Sequence, residues 1–406
     1  MVKDRTRSLD VNGKVDLVTH LKELAAVFFK LGVIGFGGPA AHIAMMEQEV
    51  VSKRKWMTRE HFLDLIGATN LIPGPNSTEM AMHCGYHRAG WVGMIVAGSG
   101  FILPATLITG IIAWFYQQYG SLPDIKPFWY GIRPAVLAII IHAVCKFGWK
   151  AVKNWQLGIV GSMVMLASLS GVSEVVALLT GGIFGMCWLL AGQRRNGLNG
   201  FFPLLSLLPV KPGCLKLAVA TTALSAGCVT ANVSLIKLFL VFLKIGSVLF
   251  GSGYVLIAYL HNELIERLGW LTQQQLVDAI AVGQFTPGPV SSAVTFVGYQ
   301  IIGVKGAMLA TAGMFLPSFF FVAILNPFIP KMRDSKWLSC FLDSVNVGAV
   351  AIMVVAVIQL SRVSLVNWQT CLIALLSVIA TFVFKKVNTL WIVIGSSIAG
   401  YLLTLI

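Results

Sequence analysis

Apolar residues run through this chain in long blocks, and polar residues are confined to short gaps between them. From about Leu24 onward the blocks are long enough to span a hydrocarbon core of ~30 Å. In the first half they cover roughly residues 24–46, 62–86, 89–115, 131–149, 157–170 and 173–191, and the second half shows six again. The pattern predicts membrane-spanning helices joined by brief loops. Composition strengthens this reading: of 406 residues 57% are hydrophobic and 11% charged, and the mean hydropathy is +0.81. A soluble domain carries roughly a quarter charged residues, so much of this surface faces something other than water.

The blocks repeat. Shifted by about 214 residues, the chain aligns with itself at landmark after landmark. Phe29-Lys30-Leu31-Gly32 matches Leu243-Lys244-Ile245-Gly246, and Phe36-Gly37 matches Phe250-Gly251. Trp56-Met57-Thr58 matches Trp270-Leu271-Thr272, and Asp64 matches Asp278. Pro73-Gly74-Pro75 matches Pro287-Gly288-Pro289; one deletion later, Gly90 matches Gly303 and Asn154-Trp155-Gln156 matches Asn367-Trp368-Gln369. The expected organisation is an N-terminal cytosolic or interfacial segment (1–22), a first repeat (23–192), a linker (193–234) and a second repeat (235–406).

In each half the second apolar stretch is interrupted by Pro-Gly-Pro. Two prolines around a glycine remove backbone donors and break a helix. Basic residues cluster in the gaps, as Lys53-Arg54-Lys55, Lys146/Lys150/Lys153, Arg194-Arg195, Lys331/Arg333/Lys336 and Lys385-Lys386. Equivalent loops of the two halves carry opposite bias, which implies that the halves lie upside down to one another. Inversion requires an odd number of crossings, which predicts about five per half plus a broken, re-entrant Pro-Gly-Pro helix; the glycines at Gly35, Gly37, Gly38 and at Gly246, Gly251, Gly253 suit close helix contacts or a second break, and Pro39 favours a break in the first half. The expected fold is thus an all-α polytopic membrane protein of two homologous inverted-topology repeats. One observation disagrees with the count: it leaves Lys3, Arg5, Arg7 and Lys14 on the outer side.

The net charge of +14 does not indicate nucleic acid, because no basic, aromatic-interleaved domain lies outside the apolar blocks. The seven cysteines are scattered without metal-ligand spacing, so they read as small packing residues. No P-loop, nucleophile–His–Asp set or His/Cys cluster is present, so the sequence predicts no catalytic residues, no metal and no cofactor.

A backbone break within a bilayer is tolerated only in a protein-lined or watered cavity. Helix N-termini that follow a break offer free N–H groups and positive partial charge to an anion. The breaks at Pro73, Gly74, Pro75 and Pro287, Gly288, Pro289 are followed by Asn76, Ser77, Thr78 and by Ser291, Ser292, neutral donors suited to a tetrahedral oxyanion. Lys30 and Lys244, a matched pair within apolar stretches, are expected to add positive potential, or else to reach the headgroups. Glu79 follows the first break, where the second half has Ala293, and is a candidate for proton coupling. Asp64 and Asp278, just after Thr58 and Thr272, read as supports for N-terminal turns or residues facing interfacial water. His83 and His87 read as structural.

Phe36-Gly37-Gly38-Pro39-Ala40-Ala41-His42, followed by Trp56 and Pro73-Gly74-Pro75-Asn76-Ser77-Thr78-Glu79, resembles the N-terminal signature of the chromate ion transporter family. Phe250-Gly251-Ser252-Gly253 and Thr286-Pro287-Gly288-Pro289 look like that family's second domain. The second half departs at Gly253, Val290 and Ala293, so roles carried over to Pro39, Asn76 and Glu79 belong to the first half. The resemblance implies a long, two-domain member that exports chromate across a bacterial inner membrane as a multi-pass protein and confers resistance. The partners it implies are chromate, or sulfate of similar shape and charge, and the lipid bilayer; nucleic acid is not expected, and a homodimer is left open. The alternatives are an importer or exchanger of sulfate or another oxyanion, and a non-transporting receptor or scaffold.

Overall fold

The computed structural model describes residues 11–70, 72–120, 122, 126–195, 233–250, 253–326, 335–383 and 389–404. These residues are helical almost throughout, with no strands among them. The first half comprises α1 (Val11–Ile34), α2 (Gly38–Met46), a π-helical turn (Glu47–Lys53), α3 (Arg59–Thr69), α4 (Asn76–Tyr119), α5 (Lys126–Ala151), α6 (Trp155–Leu169) and α7 (Glu174–Arg195). The second comprises α8 (Leu235–Val248), α9 (Leu256–Leu260), a π-helical turn (His261–Arg267), α10 (Gln273–Phe285), a 3-10 turn (Val290–Ser292), α11 (Ala293–Leu325), α12 (Lys336–Ser364), α13 (Trp368–Val383) and α14 (Thr389–Thr404). Among the described residues five spans, in α4, α5, α7, α11 and α12, are long and apolar enough to cross a membrane. Their outward faces carry large apolar side chains such as Trp91, Leu107, Met308 and Phe320. The chain is an all-α polytopic membrane protein.

Local chemistry starts and stops these helices where the sequence indicates. The Thr58 hydroxyl accepts from His61 N–H at the start of α3, and Thr272 forms a capping box with Gln275 at the start of α10. Helix α4 bends sharply at Ala89-Gly90, and α11 does so at Ile302-Gly303, each time with the glycine at positive φ (60° and 64°). After each bend the chain doubles back. An added Cβ at Gly85 would strike the Gly93 carbonyl, and one at Gly298 would strike the Gly306 carbonyl. Only a hydrogen lets the two arms approach so closely.

The first apolar stretch, counted from the sequence as a crossing with a break favoured at Pro39, is also folded back. It breaks at Gly35–Gly38, with Gly37 and Gly38 at positive φ. Glu23, midway along α1, pairs with Arg88 at the end of the first arm of α4, and Arg88 and Arg54 both lie over the Trp56 ring. The middle of α1, the end of its returning limb and the bend of α4 therefore share one end of the bundle. His61 at the start of α3 also packs on His87, so α3 and residues 76–88 form a second hairpin that opens at that end. The physical reason is that Gly-Gly-Pro is as complete a helix breaker as Pro-Gly-Pro.

We call this the basic end, because Lys53, Arg54, Lys55 and Arg88 gather there. Contacts between halves run the other way. Along residues 91–119 of α4, Thr109 meets Ser292, Ala113 meets Gln300 and Tyr116 meets Phe296. The bend of α11 therefore lies at the end of the bundle opposite the bend of α4. Consistently, Phe319 packs by Gly98, and Asn326 bonds His83 near the basic end. Helix α7 finishes at the basic end and α8 begins at the opposite end; most of the expected linker, residues 196–232, lies outside the described residues.

Candidate functional site

Four helix interruptions meet inside the bundle, joined in reciprocal pairs. The Gly74 N–H donates to the Leu249 carbonyl at 2.6 Å, and the Gly288 N–H donates to the Gly35 carbonyl at 2.7 Å. The two bonds are the same bond shifted by about 214 residues. Each Pro-Gly-Pro thus docks on the break in the first stretch of the other half. The Gly35 carbonyl also accepts from His42 Nε2 at 3.0 Å, and His42 is buried. Backbone groups freed by the breaks are satisfied across the repeat interface, which keeps irregular backbone tolerable at this depth.

The two Pro-Gly-Pro junctions differ in chemistry. Gly74, at φ 152°, is flanked by the Glu79 carboxyl and the Ser318 hydroxyl. Gly288 is flanked by Ala105 and the backbone of Gly32. Ala293 and Ala105 occupy the positions equivalent to Glu79 and Ser318. Glu79 is fully buried, and no cation pairs with it among the described residues.

A cavity of about 1300 Å³ opens at the basic end and runs inward to the first junction. Its inner wall includes Phe36, Gly37, Asn70, Asn76 and Tyr254; its outer wall carries His142, Lys146, Lys150 and Lys153, with Asp64 and Asp343 as the acidic groups. Lys153 is bound to Asp343 at 2.8 Å. For Lys146 and Lys150 no salt bridge occurs among the described residues, so α5 presents positive charge to the cavity. Asn76, the first residue of α4, donates through Nδ2 to Asn70 Oδ1 at 3.0 Å. It sits at a helix N-terminus whose leading amides point toward the cavity end.

The residues expected from the sequence divide accordingly. Asn76 lines the cavity. Ser77, Thr78, Ser291 and Ser292 are buried beyond its wall, at 2%, 0%, 1% and 0% exposure. Ser292 accepts from Thr109, while the hydroxyls of Thr78 and Ser291 have no partner among the described residues. Lys30 and Lys244 lie outside the cavity: Lys30 pairs with Glu49 at 3.5 Å and Lys244 with Glu263 at 2.9 Å, each half exposed. Those acids also hold Lys53 and Arg54, or Arg267, so the lysines serve the charged rim of each first hairpin.

Asp278 departs from its expected role. It is fully buried, accepts from Arg133 through both carboxylate oxygens at 2.8 and 2.9 Å, and accepts from the Tyr116 hydroxyl at 2.6 Å. Sequence reasoning missed Arg133, Tyr254 and His142, which lie within apolar blocks and carry no repeat partner of their own kind. The lone Arg133 charge inside such a block was the available signal.

The model of the chromate transporter family matches residues 22–186 and again 236–401. The chain is 31% identical over 388 residues to a probable chromate transport protein of Synechococcus elongatus, covering 94% of this chain and 95% of the relative. It is 31% identical over 385 residues to a chromate transport protein of Cupriavidus metallidurans (94% and 92%), and 28% identical over 386 residues to one of Pseudomonas aeruginosa (94% and 92%). No solved structure matches it. With both halves matched and the relatives covered nearly end to end, the chain belongs to the chromate transporter family.

Proposed function

We propose that this protein is a secondary transporter that carries chromate out of the cell across a bacterial inner membrane, conferring resistance. The observation that carries this reading is the cavity that leads from the basic end, past Lys146 and Lys150, to Asn76 at the head of α4. Basic loops face the cytoplasm, so the cavity is open to the cytoplasm and holds the loading state. The chromate dianion is drawn in by the α5 lysines and met by Asn76 and the amides of the α4 first turn. As one repeat rocks on the other, Ser77, Thr78, Ser291 and Ser292 come into contact with it.

Topology supports the same orientation. With both first stretches re-entrant, the crossings of the first repeat are residues 91–119 of α4, then α5, α6 and α7. The clusters Lys53–Lys55 and Lys146–Lys153 then share the basic end, on one side of the membrane.

Electrostatics favours export. Moving one charge through 100 mV is worth about 2.3 kcal/mol, so a dianion leaving an inside-negative cell gains roughly 4.6 kcal/mol. That sustains about a thousandfold gradient without ATP. An ionised Glu79 beside the first junction would repel the dianion, and we assign it a proton while the anion is bound, with proton coupling as its further use. The test is flux of chromate and sulfate in proteoliposomes with membrane potential and pH gradient set independently. Chromate flux that follows the potential is expected. Equal exchange of sulfate without response to potential would favour an oxyanion exchanger, and no flux of either anion would favour a receptor or scaffold.

A further inference from the structure

We propose that Arg133, Asp278 and Tyr116 form the gate that closes the transport path at the end opposite the cavity, and that this gate sets the resting preference for the conformation seen here. The inference rests on the alternating-access reading above and extends it to residues that the reading does not use.

The two halves differ in chemistry at this point. The position equivalent to Asp278 is Asp64, and the position equivalent to Arg133 is Asn346. Asp64 and Asn346 both line the open cavity. Arg133 and Asp278 therefore stand where an opposite-facing cavity would form, and there they are bonded to one another. Three elements are fastened at this point: α5 through Arg133, α10 through Asp278 and α4 through Tyr116. Tyr116 is further held between Trp129 and Phe296 in edge contacts. The carboxylate is fully buried and the guanidinium only 24% exposed, so the pair is shielded from water and ions.

The repeat is unequal here in a way that gives direction. Asn346 carries no charge, so the cytoplasmic side cannot close with the bidentate ion pair that closes the other side. One closed gate has this bidentate arginine–aspartate pair and the other has asparagine in the arginine's place; two conformations otherwise related by symmetry are thereby made unequal in energy, and the cytoplasm-open one is favoured. To release its cargo outward the protein must separate Arg133 from Asp278. Separation exposes a guanidinium in the newly opened path, where a dianion can compensate it. Cargo and Asp278 thus exchange on one cation, and this couples occupancy to opening.

Cysteine accessibility tests the gate without any transported ion. Gly67 lines the cytoplasmic cavity and has open space around an added Cβ, so Gly67→Cys reports that side. Ala281, buried one turn beyond Asp278, reports the opposite side as Ala281→Cys. A membrane-impermeant maleimide is applied to oriented vesicles, with the protein lacking both reporters as background. Adding Asp278→Asn is expected to speed labelling at 281 at least tenfold and to slow it at 67; Tyr116→Phe, a milder change, is expected to shift both in the same directions by a few-fold. Unchanged rates at both reporters in both variants would overturn the gate. Faster labelling at both positions would overturn it too, because that marks loosening rather than a shift between conformations. Loss of chromate flux with the labelling pattern intact would sink the assigned cargo and leave the gate standing.

Discussion

At Gly74 a single hydrogen atom permits the junction to exist. Its φ of 152° is rare for residues with a Cβ, and the added atom would collide with the Glu79 carboxyl and the Ser318 hydroxyl. Gly90 also has positive φ, but nothing lies within 4 Å of an added Cβ. Gly74→Ala is therefore expected to abolish chromate flux in proteoliposomes. Gly90→Ala should cost about 1–3 kcal/mol of backbone strain and leave flux within a few-fold of the parent. Comparable flux in the two variants would show that the first junction is not part of the path. The contrast is local, yet it rests on what stands beside each glycine, which only the folded chain specifies.

At the level of elements, the bends at Gly90 and Gly303 turn two long apolar runs into antiparallel helix pairs held by bare glycine faces. In a bilayer there is no hydrophobic drive between helices, so close packing of small residues carries the association. Gly85→Leu places a side chain against the Gly93 carbonyl and forces the arms of α4 apart. It is expected to reduce the yield of folded, monodisperse protein after extraction, and Gly298→Leu should do the same in α11. Normal yield and normal thermal stability for both would refute this account of the bends. The repeat itself was legible at this scale, since Gly85, Gly93, Gly298 and Gly306 stand at matching positions. That α1 turns back at Gly35–Gly38 was less so. The glycines and Pro39 announced a break, but a break alone does not say whether the chain continues or returns. The ion pair of Glu23 with Arg88 and the stacking of Arg54 and Arg88 on Trp56 decide it, because they bring distant stretches to the same end.

For the molecule as a whole, the charge on the entry path is the quantity that matters. Lys146 and Lys150 are one turn apart in the last turns of α5 and line the cavity near its mouth, whereas Lys30 is outside it. Removing both charges with Lys146→Gln/Lys150→Gln is expected to raise the chromate KM severalfold at low ionic strength with little change in maximal rate. The difference should shrink as salt rises toward physiological strength and beyond. Lys30→Ala, which loses a rim ion pair worth about 0–1 kcal/mol, serves as the control and should leave KM unchanged. A rise in KM for Lys30→Ala equal to that of the α5 pair would return the lysine to the anion path.

The amino-acid order alone set the helical blocks, the two Pro-Gly-Pro interruptions, the caps at Thr58 and Thr272, and the twofold repetition. Each of these follows from backbone chemistry within a few residues: a missing donor, a missing Cβ, a hydroxyl at a helix start. The partners of charged groups were beyond its reach. Arg133 and Asp278 are 145 positions apart, and their bond depends on three helices arriving together; the same holds for Lys30 with Glu49 and for the wall of the cavity. A charge in an apolar block signals that some partner exists, and only the packed bundle brings a particular one within reach, because burial makes an unpaired charge too costly to keep.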